Sequence, residues 1–452
     1  MTNEALELSI NLVWVMLGAF FVFFMHAGFA MVEAGFTRSK NAVNILMKNI
    51  LTISIGGLVY FAVGYAIMFG ESSGGLIGSS GFALSGVDDI AFFVFQAMFA
   101  ATCATIISGA VAERTNIMAY IALVIIMTAI IYPVVGHWVW QGDGWLTSLG
   151  FVDFAGSTVV HLTGAVGALV VAAIVGPRVG KYAKGVVNVI PGHSIPLGAL
   201  GVFILWLGWY GFNGASTLAA DPALVPGVIA NTFLSASAGV IATAFYTRLR
   251  YGFIDGSLTL NGALAGLVSI TAGAANLSIV GSIIAGAVGG VVLVEAVRFI
   301  EHKLKVDDPV GAVAVHGVAG IWGTLAVGLF DTAGGGLFYG GGAELLGVQA
   351  LGVVAVIAWT ASTVAIATYI IKAFIPLRVT HEEEVQGLDI AEHGAYAYEM
   401  QETFKGLSKT NDSFAQRLTN LGKVSSTSNV QDSGTKTKAK TGFPNSLSST
   451  KS

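Results

Sequence analysis

The chain has 452 residues, 54% hydrophobic and 11% charged, with a net charge of −4 and 59 glycines; its mean hydropathy is +0.76. This composition excludes a soluble globule as far as about residue 371. Apolar runs of about 20 residues without strand alternation exclude a β-barrel and predict an all-α integral membrane protein. The single Cys103 excludes an intrachain disulfide.

In chain order the apolar runs predict eleven membrane-spanning helices, near residues 9–35, 44–70, 89–111, 117–139, 157–176, 195–213, 223–247, 256–273, 278–300, 309–330 and 345–371. The first has an acidic flank (Glu4, Glu7) and is longer than a signal core, so it reads as a retained span. Glycines concentrate inside the spans, as at Gly56–Gly57, Gly164–Gly167, Gly262–Gly266 and Gly286–Gly290. Small residues let helices approach closely in lipid, which is a packing signal and says nothing of function.

The charges between spans alternate. Odd-numbered connections carry Arg38, Lys40, Arg114, Arg178, Lys181, Lys184, Arg248, Arg250, Arg298, Lys303 and Lys305, with Lys48 at the mouth of span two. Even-numbered connections carry no base, only acids such as Glu71, Asp88, Asp89, Asp143, Asp153, Asp221, Asp331 and Glu344. Positive charge stays cytoplasmic, which predicts an N-terminus outside and a C-terminus inside. A wrong span count would scramble this alternation. The acidic outer face would concentrate cations, although keeping bases inside for insertion would leave the same residue.

Ionisable groups inside a bilayer are costly and usually functional. Those expected to lie deep are His26, His161, Glu295 and His316, with Glu33 near the inner end of span one. Two of them share a pattern: DFAGSTVVH from Asp153 to His161 in span five, and DPVGAVAVH from Asp308 to His316 in span ten. An offset of five spans, an odd number, makes spans 1–5 and 6–10 opposite in orientation, as in an inverted repeat. The two Asp residues then start their helices from opposite faces, and the two imidazoles can meet near the midplane. Two unrelated buried histidines, each bonded to a carbonyl, are the alternative.

DFAGSTVVH, VDDPV with VHGVAGIWG, WYGFNGAS at 209–216 and GLDIAEHGAYAY at 387–398 resemble the ammonium transporter family (Amt/Mep/Rh), in order, over residues 9–400. Span one, with FFMHAGFAMVEAGFTRSKN, resembles the Amt branch, which keeps its first helix. The resemblance implies eleven helices, N-out and C-in, in a homotrimer with one pore per subunit. It implies an outer ammonium site at Trp140, Phe99 and Ser216, a gate of Phe99 and Phe212, and a relay through His161 and His316. Trp209 and Leu205 would line the same passage. Read without the resemblance, the phenylalanines, with Phe95 one turn earlier, are core packing. Asp153 reads as a helix cap with a structural or indirect electrostatic role. Gly311 stands where relatives often have a further acid, and His26 where they often have glutamine; both are expected to affect cytoplasmic-side or trimer contacts.

The chain divides into a transmembrane domain at 1–371, a cytoplasmic regulatory segment at 372–402 and a tail at 403–452. Gly387, Asp389, His393 and Tyr396 carry the family pattern of the segment, which with the inner loops implies docking under neighbouring subunits and of PII-type signal proteins. The tail is rich in Ser, Thr, Lys and Asn and reads as disordered. Phe404, Leu407, Phe414, Leu418 and Leu421 offer one face of a short amphipathic helix for anionic lipid or a regulator, or nothing more than a passive tail.

The expected function is ammonium and methylammonium transport across the plasma membrane, by recruitment, deprotonation and histidine relay, with net charge movement as in electrogenic relatives. No enzymatic activity, cofactor, metal or nucleic acid partner is expected; the lipid bilayer is the surrounding partner. The rivals are an ammonium receptor signalling through the tail with little flux, and an electroneutral ammonia channel of the Rh type.

Overall fold

In the computed structural model, residues 2–398 are described, and they are almost wholly helical. The helices are α1 (Asn3–Phe36), α2 (Ser39–Phe69), α3 (Ile90–Ala110), α4 (Ile117–Ser148), α5 (Ser157–Val175), α6 (Ile195–Thr217), α7 (Val225–Tyr251), α8 (Gly256–Thr271), α9 (Ile279–Leu304), α10 (Val313–Phe330) and α11 (Glu344–Phe374). Ten are long and apolar enough to cross a membrane; α8, at 16 residues, is shorter. Two small helices follow, α12 (His381–Gln386) and α13 (Leu388–His393).

Polar residues at the breaks start the helices where the apolar runs begin. Asp89 accepts from Phe92 N at α3, Asn116 from Met118 N and Ala119 N at α4, Ser194 from Leu197 N at α6, and Asp255 from Leu258 N at α8. Each satisfies amide groups that a helix start leaves open.

Burial separates a centre from a rim. The most apolar stretch of α5 is 78% buried and those of α3 and α10 are 67% buried, against 28% for α1 and 33% for α11. Large apolar side chains such as Phe20, Phe203, Phe245 and Ile366 point outward, as they do where the outer solvent is hydrocarbon. α1 lies along α6 with small residues at the contact: a Cβ on Gly201 would stand 2.6 Å from the Gly28 carbonyl oxygen, and one on Gly35 only 2.6 Å from that of Ser194.

The two central helices α5 and α10 both open with a π-helical stretch, Ser157–Leu162 and Val313–Val318, and each stretch packs against the other helix. The crossing is close, since a Cβ on Gly320 of α10 would lie 2.6 Å from the Ser157 carbonyl of α5. Thr158 and Thr324 bond across it at 2.6 Å. The sequence-expected tail helix at 404–421 lies outside the described residues.

Candidate conduction site

Asp153 fixes the start of α5. One carboxylate oxygen accepts from Gly156 N and Ser157 N, and the other from Thr158 N and Val159 N, at 2.8–2.9 Å. Gly156 has φ +114°, and a Cβ there would meet Val160 Cγ2 at 2.7 Å and Trp140 at 3.3 Å. Only glycine lets the cap turn this way while the indole closes over it. Asp308 does the same for α10: it accepts from Gly311 N at 3.0 Å and Val313 N at 2.8 Å. Each cap thus begins the π-helical turn that carries a histidine.

The two histidines meet. His161 Nδ1 and His316 Nδ1 are 3.2 Å apart, with rings inclined by only 18° and centroids 5.2 Å apart, an edge-to-edge arrangement. One nitrogen must donate and the other accept, so the two tautomers are complementary. His161 Nε2 is buried with no partner among the described residues. In a protein interior such an atom is costly unless something visits it.

A column of rings stands beside the pair. Phe99 and Phe212 are stacked with centroids 4.1 Å apart, and Phe212 lies 5.4 Å from the His161 ring. Trp209 stacks on His161 at 5.0 Å and is held by its indole N–H donating to Thr271 Oγ1 at 2.9 Å. Trp140 meets Phe99 edge-on at 6.1 Å, and its indole donates to the Asp153 carbonyl at 2.7 Å. The cap and the aromatic contact are therefore one construction. Ser216 joins through Phe212, whose carbonyl accepts its hydroxyl at 2.7 Å; the serine oxygen keeps lone pairs for another donor. Leu205 is fully buried beside Gly28 of α1. Phe95 packs on Phe99 at 4.7 Å and against α1 at Gly18.

The chain matches the model of the Ammonium Transporter Family over residues 13–398. It belongs to that family. It is 42% identical over 422 residues to "Ammonium transporter Amt2" of Archaeoglobus fulgidus, covering 88% of this chain and 90% of that one. It is 41% identical over 401 residues to "Putative ammonium transporter sll1017" of Synechocystis, covering 85% and 88%. Among solved structures it is similar to a "Sensor Amt Protein" (41% identity, TM-score 0.82, covering 86% of this chain and 100% of that one). It is also similar to Mep2 of Candida albicans (31% identity, TM-score 0.78, 86% and 90%).

In this family member the layer at the sequence-assigned cytoplasmic ends is a buried ion network. Arg178 grips Asp307 through Nε and Nη2 at 2.8 and 2.9 Å, and Glu113 lies 3.5 Å away while also binding Arg38. Arg114 is fully buried, with donors on the carbonyls of Ala110, Ala112, Gly176 and Asp307. Burial raises the Asp307 carboxyl, but the bonds and charges of Arg178 and Arg114 outweigh it and hold it at about 2. The same opposition, with Arg178 and Arg38 winning, holds Glu113 below its usual range. Arg114 and Arg178 lie in connections between helices, as their charge pattern predicts, and the structure buries them there, because each stands one turn from an apolar helix end with acids opposite. The doubled acid of VDDPV and the AER and GPR triplets were the available signal.

The segment after α11 docks on this layer. Arg378 pairs with Glu384 at 2.6 Å, and Thr380 with Glu383 forms a capping box at α12. Gly387 turns with φ +112°, and a Cβ would lie 2.6 Å from the Lys40 carbonyl oxygen. Asp389 accepts from Asn44 N at 2.9 Å, and His393 Nε2 is 3.1 Å from Asn44 Nδ2. Tyr396 is 69% exposed, whereas Tyr398 reaches His193 at 2.8 Å; of the two tyrosines, the structure gives this contact to Tyr398.

Three further placements differ from the sequence reading. Glu295 is not enclosed by the helices: its side chain is 44% exposed and bonds Tyr246 Oη at 2.8 Å beside Arg250 and Arg298. His26 is 5% exposed and turned into the helix packing, so it offers no surface for a subunit contact. Lys48, one turn past the Asn44 that meets the docked segment, is not open at the mouth of span two but fully buried there, 5.4 Å from the Tyr120 ring centroid.

Proposed function

We propose that this family member is a homotrimeric plasma-membrane ammonium transporter that splits ammonium and moves ammonia and a proton through the His161–His316 passage. The observation that carries the reading is the bonded histidine pair beneath the stacked Phe99–Phe212 rings. Eleven crossings, an inverted repeat of helices 1–5 and 6–10 and an N-out, C-in orientation are part of it. The alternation of basic and acidic connections and the twin Asp-capped helices support these features.

Recruitment comes first. An ammonium ion has four N–H donors and a diffuse charge; the Trp140 and Phe99 faces supply cation–π attraction, and the free lone pairs of Ser216 accept a hydrogen bond. A desolvated cation–π contact contributes about 2 kcal/mol. Phe99 and Phe212 then form the gate, with rings that must part for a molecule to pass. Beyond it, Trp209 and Leu205 keep the walls apolar. Carrying the intact ion through such walls costs at least about 2.5–3.5 kcal/mol at the bilayer centre, whereas neutral ammonia and a relayed proton avoid most of that. A neutral imidazole accepts at one nitrogen and donates at the other, so the pair can take a proton at one end and release it at the other. Asp153 acts through the helix it starts and through its carbonyl on Trp140.

Docking of residues 378–393 on α2 and the inner loops supports a regulatory role for Gly387, Asp389, His393 and Tyr396, and a face for a PII-type signal protein. The likeness to a sensor Amt protein over the whole of that chain favours a second reading, an ammonium receptor with little flux. Current from purified protein in a supported membrane during an ammonium jump tests both. Ammonium and methylammonium currents with none for potassium support transport with charge; ammonium uptake without current makes it an electroneutral channel of the Rh type. Binding without either makes it a receptor, and potassium currents of similar size overturn the deprotonation scheme.

A further inference from the structure

Past His316, away from the phenylalanine gate, the helices form a partly open cavity of about 20 Å³ lined by Phe29, Ile106, Leu264, His316, Glu33 and Asn261 among others. It has room for one water-sized molecule. Its three polar members come from three helices: Glu33 from α1, Asn261 from α8 and His316 from α10.

Their bonding shows what the cavity lacks. Glu33 is 3% exposed. One of its oxygens accepts from Ser108 Oγ at 2.8 Å and Asn49 Nδ2 at 3.3 Å. The Asn261 amide N–H donates to the Val310 carbonyl at 2.9 Å, which fixes the orientation of its amide. Its Oδ1 is then buried with no partner among the described residues, in a side chain only 5% exposed. The nearest buried base does not neutralise the carboxylate by contact, because the Lys48 ammonium has no hydrogen-bond partner among the described residues. The cavity is thus lined by a carboxyl group, an amide whose oxygen has no partner among the described residues, and an imidazole. A small molecule satisfies them by carrying several donors, and a cation satisfies the carboxylate as well.

We propose that Glu33, Asn261 and His316 form an inner binding site for one ammonium ion, distinct from the outer aromatic site and reached only after the histidine pair. The proposal rests on the transport reading of the same passage and adds a place where the charge re-forms before release. Glu33 is the residue that makes this end of the passage prefer a cation. Its bonds from Ser108 and Asn49 hold it there and do not consume it.

The test is E33Q, which keeps size and both bonds and removes the charge, with E33D as the charge-retaining control and N261A as a second variant on another helix. Two measurements are made on trimers of verified assembly. In ammonium-jump currents, E33Q is expected to lose fivefold or more of the saturating current while the half-saturating outer concentration stays within twofold, with E33D recovering most of it. In detergent, ammonium chloride is expected to raise the melting temperature of the wild type more than that of E33Q or N261A, with potassium chloride as the ionic control. Equal currents and equal ammonium shifts in wild type, E33Q and N261A overturn the inner site and leave Glu33 an anchor for Asn49 and Ser108. If the wild type carries no ammonium current, the transport reading fails, and the melting shifts alone decide whether the inner site exists. If E33Q does not assemble, N261A decides by the same two measurements.

Discussion

At the histidine pair, His161 keeps a buried nitrogen without a partner among the described residues, and the neighbours are rings and aliphatic chains. Some helical turns away, every guanidinium nitrogen of Arg114 has a carbonyl and Asp307 is held by both arms of Arg178. Both regions bury polar groups at a cost, and they differ in what is left over. In the ion network the hydrogen-bonding capacity is largely consumed, as in a structure meant to stay still. At the histidine pair part of it is left open, as the proposed passage requires.

The sharpest way to break this comparison is at the pair itself. His161→Ala or His316→Ala should cut ammonium current by about 10²-fold or more, the usual weight of a positioned acid–base group. Fold and assembly should survive, since the change opens a small cavity and leaves the helix interfaces in place. Full current with potassium exclusion in both variants would make the pair structural.

In the ion network the expected loss is stability instead of rate. Arg178→Met strands the Asp307 carboxylate and leaves Glu113 to Arg38 alone, and breaking one side of a buried pair costs about 3–5 kcal/mol. The melting temperature should fall well below wild type, while any correctly folded fraction conducts normally. The pH dependence has a definite sign. Asp307 and Glu113 are held below their usual range, so their stabilisation is complete above the unfolded carboxyl pKa. It is lost only as pH falls toward the folded values, about 2 for Asp307. Wild-type melting should lose this contribution below pH 4 and not between 7 and 5; an Arg178→Met protein should lack that acid limb.

Smaller effects belong to the docked segment. Gly387→Ala strains a φ of +112° and crowds the Lys40 carbonyl, a cost of about 1–3 kcal/mol, enough to loosen α12 and α13. Protease sensitivity near 387 should rise and activity or its coupling between subunits should fall, as it should when 378–400 is removed. The smallest effect is truncation after residue 402, which should leave assembly and basal current unchanged. Equal behaviour of the two truncations would move the regulatory boundary.

Much of this molecule was legible beforehand because bilayers impose simple rules. The helices followed from apolar runs, with ends shifted by several residues at α1, α4 and α10, and the meeting of His161 with His316 followed from two Asp-to-His spacings five spans apart. What stayed hidden was set by three-dimensional closeness without sequence spacing. Nothing in the spacing marks Lys48 as buried or Glu295 as half-exposed, because burial depends on which face of a helix meets a neighbour. Arg114 and Asp307 are nearly two hundred positions apart, so no local pattern pairs them. Asn261 gave no signal at all, since an amide inside an apolar helix is read as packing until its orphaned oxygen is seen.

The π-helical openings of α5 and α10 have a consequence for how this passage tolerates change. A π-turn holds one residue more than an α-turn, and each residue advances a helix by about 100°. Deleting a single residue within 157–160 would let the stretch relax to ordinary helix and swing His161 out of line with His316, even though no ring, cap or apolar wall had been altered. Point changes there act through chemistry; a gain or loss of one position acts through rotation. In these two helices the length of a turn is itself an aiming device, and the spacing from aspartate to histidine is the part of the sequence that can least afford to drift.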